Sequence, residues 1–312
     1  MSLARAVELA QAAAGRAYPK PTVGVVVVAD GEVVAEGVTE PGGRHGEAVA
    51  LAAAGERARG ATLYVTLEPC AHWGSNPPCT DLVAQAGVAR VVVGARDPNP
   101  VAAGGIERLR EAGVEVELAD SFEARRTEEA WRTWVTLGRP FVVLKAAVTL
   151  DGRVTVPGRR WVSGEASRRL VHELRAQVDA VAVGTGTARA DLPRLDARDV
   201  PTPKGQPRRL VFGRGALPVE LDLERRAGPL ADELAALGAE GVQSLLLEGG
   251  PTLAAAFLDA GLVDKVLLFV APVVSGDGPG LLTGLRSPLA LGRLTARRVG
   301  PDVLLEAYVH EP

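Results

Sequence analysis

The sequence predicts an α/β protein built from two domains. A chain of 312 residues is long enough for two domains of ordinary size, each with its own core. Strand and helix patterns alternate along the chain, which is typical of layered α/β folds, with three layers expected in the first half. The step Gly138-Arg139-Pro140 interrupts the pattern near the middle. We therefore expect one domain over residues 1–138 and a second over residues 139–312.

The periodicity places the individual elements. In the first half it predicts helices over residues 2–14, 46–54, 79–86, 104–112 and 121–137, and strands over 23–29, 32–35, 61–66, 88–94 and 114–118, with a hairpin turn at Asp30-Gly31. In the second half it predicts strands over 141–145, 178–184, 209–212, 244–247, 265–271 and 303–308, helices over 229–237 and 252–260, and a Gly-Thr loop over 184–187.

The overall charge and hydropathy exclude several classes of partner. The net charge of −3 provides no basic surface for nucleic acid or an anionic membrane. No apolar run approaches the length of a membrane span, and the first residues form an amphipathic helix rather than a secretion signal. The two cysteines would have to be reduced to bind a metal, so we expect a cytoplasmic protein.

Both cysteines belong to one short motif. Cys70 and Cys79 flank a Pro-rich stretch, and His45-Gly46-Glu47 lies upstream. One imidazole and two thiolates suit Zn²⁺ with a fourth position left for water, and Glu47 is placed to carry protons, as in the zinc deaminases. Buried structural thiols or a disulfide are the alternatives, and the spacing of all four residues favours zinc. His72 is a candidate fourth ligand, but we favour it as a substrate-facing residue.

The second half carries weaker signals. Gly249-Gly250 lies between a strand and a helix, where bare backbone amides can approach a phosphate or a dinucleotide. It does not form a complete dinucleotide fingerprint, so a plain turn is the alternative. Lys145 is either functional or a snorkelling surface lysine. Glu248 is either functional or a helix cap, and Asp191 either functional or a turn residue.

The motif Pro69-Cys70-Ala71-His72, continued by Gly74 and Pro77-Pro78-Cys79, resembles the zinc motif of the RibD family of bifunctional riboflavin-biosynthesis enzymes. Further matches to that family run along nearly the whole chain, among them Asp97-Pro98-Asn99-Pro100 and Glu248-Gly249-Gly250-Pro251-Thr252. The resemblance implies a cytidine-deaminase-like first domain and a dihydrofolate-reductase-like second domain. It also implies a homo-oligomer.

The resemblance implies two successive reactions. The first is the zinc-dependent deamination of 2,5-diamino-6-ribosylamino-4(3H)-pyrimidinone 5′-phosphate, with His45, Cys70 and Cys79 as zinc ligands and Glu47 as the proton carrier. The second is NADPH-dependent reduction of the ribosyl chain to ribityl, with Lys145 near the reacting sugar. The residues implied for NADPH are Ala147, Trp161, Thr187, Asp191, Gly250, Pro251, Thr252 and Leu253. Those implied for substrate are His72, Arg175, Leu195, Arg198 and Glu248.

Four features depart from the family pattern. Lys20 stands where Asn is usual, Gly46 stands between the zinc histidine and the glutamate where Ala is usual, and Gly213-Arg214 replaces an Asp. The stretch 218–243 is also shorter, by roughly a strand and a helix of ordinary length. These departures leave one alternative open, a deaminase whose trimmed second domain serves only binding or oligomerisation.

Overall fold

The structure, a computed structural model, describes residues 2–74 and 76–312. The chain divides into two compact units. The first ends at Leu137 and also includes the last residue, Pro312, and the second is Gly138–Glu311. No helix in the described part of the chain is long and apolar enough to cross a membrane. Each unit contains its own sheet and its own buried cluster of aliphatic side chains.

The first unit is a five-stranded sheet with the order β2-β1-β3-β4-β5. β1 is antiparallel to both of its neighbours, whereas β3, β4 and β5 run parallel. Its strands are β1 (Gly24–Ala29), β2 (Glu32–Val38), β3 (Thr62–Val65), β4 (Arg90–Val93) and β5 (Glu115–Leu118). Its helices are α1 (Ser2–Ala12), α2 (Gly46–Ala54), α3 (Cys79–Gln85), α4 (Gly105–Glu111), α5 (Phe122–Thr127) and α6 (Glu129–Leu137).

The predicted hairpin and central strands of the first unit are confirmed. Asp30 and Gly31 both have positive φ (51° and 82°), the conformation that a tight two-residue hairpin needs. Val25, Val26 and Val27 are fully buried although they point to alternating faces of β1. A strand buried on both faces lies in the middle layer of three, which is the layered arrangement that the alternating pattern predicts.

The prediction of one helix over residues 121–137 is wrong. The helix breaks at Glu128, whose backbone (φ −123°, ψ 21°) leaves the helical region and whose N–H donates to Arg125 three residues back. The Thr127 hydroxyl donates to the Ala124 carbonyl at 2.8 Å and so helps to close this tighter turn. The result is two short helices, α5 and α6, rather than a single long one.

The second unit is an eight-stranded sheet with the order β12-β13-β11-β6-β10-β7-β8-β9. Its strands are β6 (Phe141–Thr149), β7 (Ala180–Gly184), β8 (Arg208–Phe212), β9 (Glu224–Arg226), β10 (Ser244–Leu247), β11 (Lys265–Ala271), β12 (Gly292–Val299) and β13 (Asp302–Tyr308). Its helices are α7 (Glu165–Gln177), α8 (Thr185–Asp191), α9 (Leu230–Ala239) and α10 (Pro251–Asp259). The six strands from β11 to β9 in the sheet are parallel, and β13 and β12 add antiparallel to one edge.

Four elements of the second unit, α7, α8, β9 and β12, are not among those predicted from the sequence. The expected Gly-Thr loop is wrong, because residues after Gly184 begin the short helix α8. The pattern analysis did not find α7, β9 or β12. β12 is exposed at every position except the last, so it has no alternation of apolar and polar residues to detect. The stretch that is shorter than the family pattern still contains β9 and α9.

The parallel order brings distant parts of the chain to one edge of this sheet. The carboxyl ends of parallel strands meet at the same edge, and ligands of open α/β sheets bind there. Gly184 ends β7, Phe212 ends β8 and Leu247 ends β10, so the segments that follow these strands are neighbours. This edge therefore positions the candidate reductase residues.

Candidate metal centre and reductase site

His45, Cys70 and Cys79 converge in the first unit. Their ligand atoms all lie within 4.8 Å of one another, with His45 Nδ1 3.2 Å from Cys79 Sγ and 3.6 Å from Cys70 Sγ. Zn–N and Zn–S bonds of ordinary length at a tetrahedral angle would separate nitrogen from sulfur by ~3.5 Å. One nitrogen and two sulfurs at this spacing fit Zn²⁺ with one position left open.

Three local structures present these ligands. His45 lies in extended conformation immediately before α2, and Cys79 is the first residue of α3. Cys70 follows β3, and its sulfur accepts the backbone N–H of Cys79 at 3.4 Å. Helix amino termini carry partial positive charge, which favours thiolates. The two helix starts and the end of a strand thus meet at one point.

The cysteine loop is supported from behind by Glu68. Its two carboxylate oxygens accept the backbone N–H of Ile106 at 3.0 Å and of Asp97 at 3.1 Å. Gly105, the first residue of α4, packs so closely on Pro69 that a Cβ there would collide with the Pro69 carbonyl oxygen. Glu68 therefore connects the loop that carries Cys70 to α4 through these hydrogen bonds.

The two thiols have opposite proton affinities when no cation lies between them. The hydrogen bond from Cys79 lowers the pKa of Cys70 to about 4, and the same hydrogen bond raises the pKa of Cys79. One proton shared by two sulfurs is the arrangement that a divalent cation replaces, because the cation stabilises both thiolates. The structure records both cysteines as free and buried.

Glu47 is the buried acid of this site, with a side chain only 3% exposed. Burial raises its pKa to about 7, against its hydrogen bond to its own backbone and the nearby charge of His45. A carboxyl group whose pKa lies near the working pH can both accept and donate a proton. Glu47 lies in the first turn of α2, two residues after the ligand His45.

Two further residues lie next to the converging ligands in the sequence. His72 is two residues after Cys70, and Gly46 directly follows His45. His72 is not among the converging ligands, and its buried Nδ1 has no hydrogen-bond partner within the described residues. The substrate-facing role of His72 stays a prediction. A Cβ on Gly46 would lie only 2.6 Å from the carbonyl oxygen of Val23, the second residue before Val25 of β1. α2 therefore packs against β1 more closely than a side chain would allow.

Lys145, Arg175 and Glu248 form a buried charged cluster in the second unit. Lys145 Nζ donates to Glu248 Oε2 at 3.3 Å, and Arg175 binds both oxygens, from Nε at 2.6 Å and from a terminal nitrogen at 3.1 Å. Burial alone would raise the pKa of Glu248, but the Lys145 ammonium and the Arg175 guanidinium lower it to about 2. Two cations and one anion leave the cluster with excess positive charge.

The other predicted reductase residues occupy different environments. Gly250 caps α10, Pro251 is its first residue, and a Cβ on Gly250 would lie 2.8 Å from Thr187 Oγ1. A Cβ on Gly184 would lie 3.5 Å from the Leu253 side chain, so α8 and α10 begin side by side. The remaining predicted residues are dispersed. Ala147 lies on β6, Thr252 lies on α10, and the Trp161 side chain is half exposed. Asp191 is the last residue of α8, and burial raises the pKa of its carboxyl group.

Two of the predicted substrate residues are constrained by the protein. Leu195 is 1% exposed and packs in a hydrophobic cluster, so the protein itself surrounds this residue. Arg198 pairs with Asp196 at 3.4 Å, and its backbone N–H donates to His172 Nδ1 at 3.3 Å. Sequence reasoning missed His172 because it found no helix over α7; the apolar spacing of Leu170, Val171 and Leu174 is the signal that was available.

Sequence reasoning also missed the cations around Trp161. The guanidinium carbons of Arg160 and Arg168 lie 5.0 Å and 5.6 Å from the centroid of the Trp161 ring. Both distances are within the range of cation–π attraction. This arrangement holds a flat aromatic surface in place on the exposed side of the second unit.

The profile of the cytidine and deoxycytidylate deaminase zinc-binding region matches residues 2–95, and that of the RibD C-terminal domain matches residues 140–305. These matches define the class of protein as a zinc-binding deaminase unit joined to a nicotinamide-dependent reductase unit. The chain belongs to the RibD family, and it is a bifunctional deaminase and reductase of riboflavin biosynthesis, with zinc and NADPH as cofactors.

Full-length relatives and solved structures agree with this assignment. The chain is 37% identical to riboflavin biosynthesis protein RibD of Aquifex aeolicus (96% of this chain, 95% of the relative). It is 36% identical to the RibD of Escherichia coli K12 (97% of each chain). Acinetobacter baumannii RibD superposes with a TM-score of 0.85 at 32% identity (98% and 97% covered). The diaminohydroxyphosphoribosylaminopyrimidine deaminase/5-amino-6-(5-phosphoribosylamino)uracil reductase of Thermotoga maritima gives 0.83 at 34% (98% and 97%).

Proposed function

We propose that the chain deaminates diaminohydroxyphosphoribosylaminopyrimidine and then reduces 5-amino-6-(5-phosphoribosylamino)uracil. The observation that carries this proposal is the convergence of one imidazole and two thiols within 4.8 Å, with the buried acid Glu47 two residues from the imidazole. The similarity to the Thermotoga protein of that name, over 98% of this chain, supports the choice of substrate.

In the deamination step, His45, Cys70 and Cys79 hold the metal. When bound, Zn²⁺ supplies a Lewis acid that makes water a competent nucleophile near neutral pH. Glu47 accepts a proton from the attacking water on a carboxylate oxygen and delivers it to the departing amine. Its burial keeps bulk water away from the transferred proton. His72 is proposed to face the substrate, because it lies two residues after Cys70 and is not among the converging ligands.

In the reduction step, the cluster of Lys145, Arg175 and Glu248 orients and polarises the sugar. NADPH supplies the hydride when it is bound. Lys145 is the proton donor at the reacting sugar, and Glu248 fixes its position through the 3.3 Å contact. All three guanidinium nitrogens of Arg175 already donate to Glu248 or to the Asp196 carbonyl. We therefore assign Arg175 to positioning Glu248 as well as to bordering the substrate.

The other predicted residues divide between the cofactor and the substrate. The start of α10 and the neighbouring side chains of α8 form the surface proposed for NADPH, because backbone groups approach closely there. Thr187, Gly250, Pro251, Thr252 and Leu253 belong to this surface. Ala147, Trp161 and Asp191 lie elsewhere on the second unit and are proposed for the cofactor on the family resemblance alone. Arg198 and Leu195 are proposed for the substrate phosphate on the family resemblance, and the Arg198 side chain is 40% exposed.

The experiment follows both products of one protein sample. Purified protein with a measured zinc content is given the phosphorylated diaminopyrimidine, and ammonia release and NADPH oxidation are recorded separately. We expect ammonia release even when no NADPH is added. NADPH oxidation should begin only after the substrate has been deaminated. The Lys145→Met variant should release ammonia at the wild-type rate and oxidise no NADPH. Ammonia release without any NADPH oxidation by the wild type would contradict the second half of the proposal.

We also propose a cytoplasmic homo-oligomer. The compartment is supported by two buried thiols that must stay reduced to bind zinc. The oligomer rests on family resemblance. Sedimentation velocity of the zinc-loaded protein tests it, since a mass of 32.4 kDa would identify a monomer.

A further inference from the structure

Three arginines of the second unit gather at the carboxyl end of β8. Arg225 donates to the carbonyls of Gly213 (2.8 Å) and Gly215 (2.9 Å), and Arg189 donates to that of Ala216 (3.2 Å). Arg214 lies within the same segment and donates to the Ala227 carbonyl at 3.1 Å. Since Gly215 and Ala216 are adjacent, the guanidinium groups of Arg225 and Arg189 lie close together. We call these three residues the arginine cluster.

The arginine cluster is not neutralised by the protein. Among the described residues, no carboxylate forms an ion pair with Arg189, Arg214 or Arg225, and all three are exposed. The other arginines of β8 and β9 are paired: Arg208 and Arg226 with Glu224 and Glu240, and Arg209 with Asp222. The cluster is therefore a local concentration of positive charge on a chain whose net charge is −3.

The cluster also retains free donors. Each of its guanidinium groups uses one nitrogen to bind backbone carbonyls, one carbonyl for Arg189 and Arg214 and two for Arg225, which leaves the other two nitrogens for a ligand. A guanidinium presents its N–H groups as a fork that matches the oxygens of a phosphate. The carbonyl contacts fix where the forks lie, so little side-chain freedom would be lost on binding an anion.

The position of the cluster links it to the proposed cofactor surface. A Cβ on Gly215 would lie 3.1 Å from Thr185 Oγ1, so the segment after β8 touches the start of α8. The same helix reaches the start of α10 through Thr187 and Gly250. β8 is two strands from β10 in the sheet, a distance of roughly 10 Å. An extended dinucleotide that passes over α10 and α8 thus arrives at the arginine cluster.

We propose that the arginine cluster binds the phosphate monoester on the adenosine ribose of NADPH and so selects NADPH over NADH. That phosphate is the one group by which the two cofactors differ, and arginine is the side chain that accommodates it in dinucleotide-binding folds. A phosphate monoester carries a charge of about −1.5 to −2 at neutral pH. The proposal rests on the reductase function stated above and adds the residues that choose between its cofactors.

The test is direct binding by calorimetry to the full-length, zinc-loaded protein. NADP⁺ and NAD⁺ are compared, together with adenosine 2′,5′-bisphosphate and adenosine 5′-diphosphate, which isolate the phosphate from the nicotinamide. Arg214→Ala and Arg225→Ala should each weaken NADP⁺ and adenosine 2′,5′-bisphosphate by about ten-fold, the usual loss for a hydrogen bond to a charged group. NAD⁺ and adenosine 5′-diphosphate should change less than about two-fold. Arg214→Lys should recover part of the loss.

Arg209→Ala is the matched control. It removes the same charge from β8, the strand that leads to Arg214, but Arg209 is paired with Asp222. It should leave all four affinities unchanged. An equal loss for NADP⁺ and NAD⁺ would overturn the proposal, since it would show that the arginines only shape the segment. No loss in either variant, or a selective loss in the control, would also overturn it.

The substrate phosphate is the other possible source of this chemistry, and ribose 5-phosphate distinguishes it. We expect Arg214→Ala, Arg225→Ala and Arg214→Lys to bind ribose 5-phosphate as the wild type does. A selective loss of ribose 5-phosphate binding would assign the cluster to the substrate. Failure of the reductase function itself gives a different result, because the wild type would then bind neither dinucleotide.

Discussion

Glu47 combines two properties that are rarely found together, complete burial and a task that needs protons to come and go. Its side chain is 3% exposed and it lies beside three potential metal ligands. A buried carboxyl group costs free energy unless it has a partner, so its presence here indicates chemistry rather than packing.

Glu47→Gln should separate metal binding from deamination. The amide has the same shape but cannot accept a proton, so we expect ammonia release to fall by about 10²–10⁴-fold. Zinc content and NADPH oxidation with the deaminated intermediate should be unchanged. The control is Glu56→Gln, an exposed glutamate in the same unit. Persistent ammonia release by zinc-loaded Glu47→Gln would contradict the assigned role.

Glu248 should make the stability of the protein depend on pH. Its folded-state pKa of about 2 lies below the ordinary value of 4.5, because Lys145 and Arg175 overcome the effect of burial. The carboxylate therefore stabilises the fold fully above pH 4.5, and this contribution is lost as the pH falls toward 2.

Urea unfolding of wild type and Glu248→Gln at pH 7, 4 and 3 measures this contribution. The wild type should be more stable than Glu248→Gln at pH 7. The difference in unfolding free energy between the two proteins should be smaller at pH 4 and smaller again at pH 3. A difference that stays constant over this range would show that Glu248 does not interact with the two cations as described.

At the scale of elements, α4 supports the metal loop through close backbone contact. Gly105 has no room for a Cβ against Pro69, next to the ligand Cys70. Gly105→Ala should push α4 and the loop apart, lower zinc affinity at least about ten-fold and lower the melting temperature. Zinc titration with a chromogenic competitor measures the affinity. Gly280→Ala, whose Cβ would meet nothing closer than 4.0 Å, should leave both unchanged. Unchanged zinc affinity in Gly105→Ala would disprove the support role.

The elements nearest the metal were the most predictable from the sequence. The predicted bounds of α2 match the structure, and those of β1, β3 and α3 are within two residues. These elements have strong apolar periodicity, and the metal motif adds ligands of known geometry. The candidate ligands could be named before any fold was known, because His and Cys at such spacing have few other uses, and the structure brings their ligand atoms within 4.8 Å of one another.

The second unit contains the features that the sequence pattern did not predict. α7 was missed although it is the longest helix described, because charged residues dominate its sequence and mask a narrow apolar stripe. The strand that begins at Phe141 was expected to end at Lys145, but it continues to Thr149 because β11 pairs with it over its last seven residues. The pairing of Arg175 with Glu248 joins residues 73 apart, so no local pattern indicates it. Such tertiary pairs decide the environment of the reductase cluster.

At the scale of the whole molecule, each unit has a core of its own and a separate chemistry. The metal ligands all belong to the first unit, and Lys145, Arg175 and Glu248 to the second. A metal that binds the folded protein stabilises the unit that holds it by mass action.

Removal of zinc should therefore affect the two activities differently. Dialysis against a strong chelator should abolish ammonia release and lower the temperature of one calorimetric transition, with NADPH oxidation of the deaminated intermediate retained. Re-addition of zinc should restore the first activity. Parallel loss of both activities with unchanged thermal transitions would contradict separate roles for the two units.

X-ray absorption at the zinc edge of the purified protein tests the central claim most directly. The account predicts one zinc per chain with two sulfur donors at about 2.3 Å and one imidazole nitrogen at about 2.0–2.1 Å, completed by a light atom that exchanges with solvent. Replacement of either Cys70 or Cys79 by Ser should remove one sulfur from the spectrum. A zinc ion held by four protein donors, or rapid deamination by protein free of any metal, would contradict it.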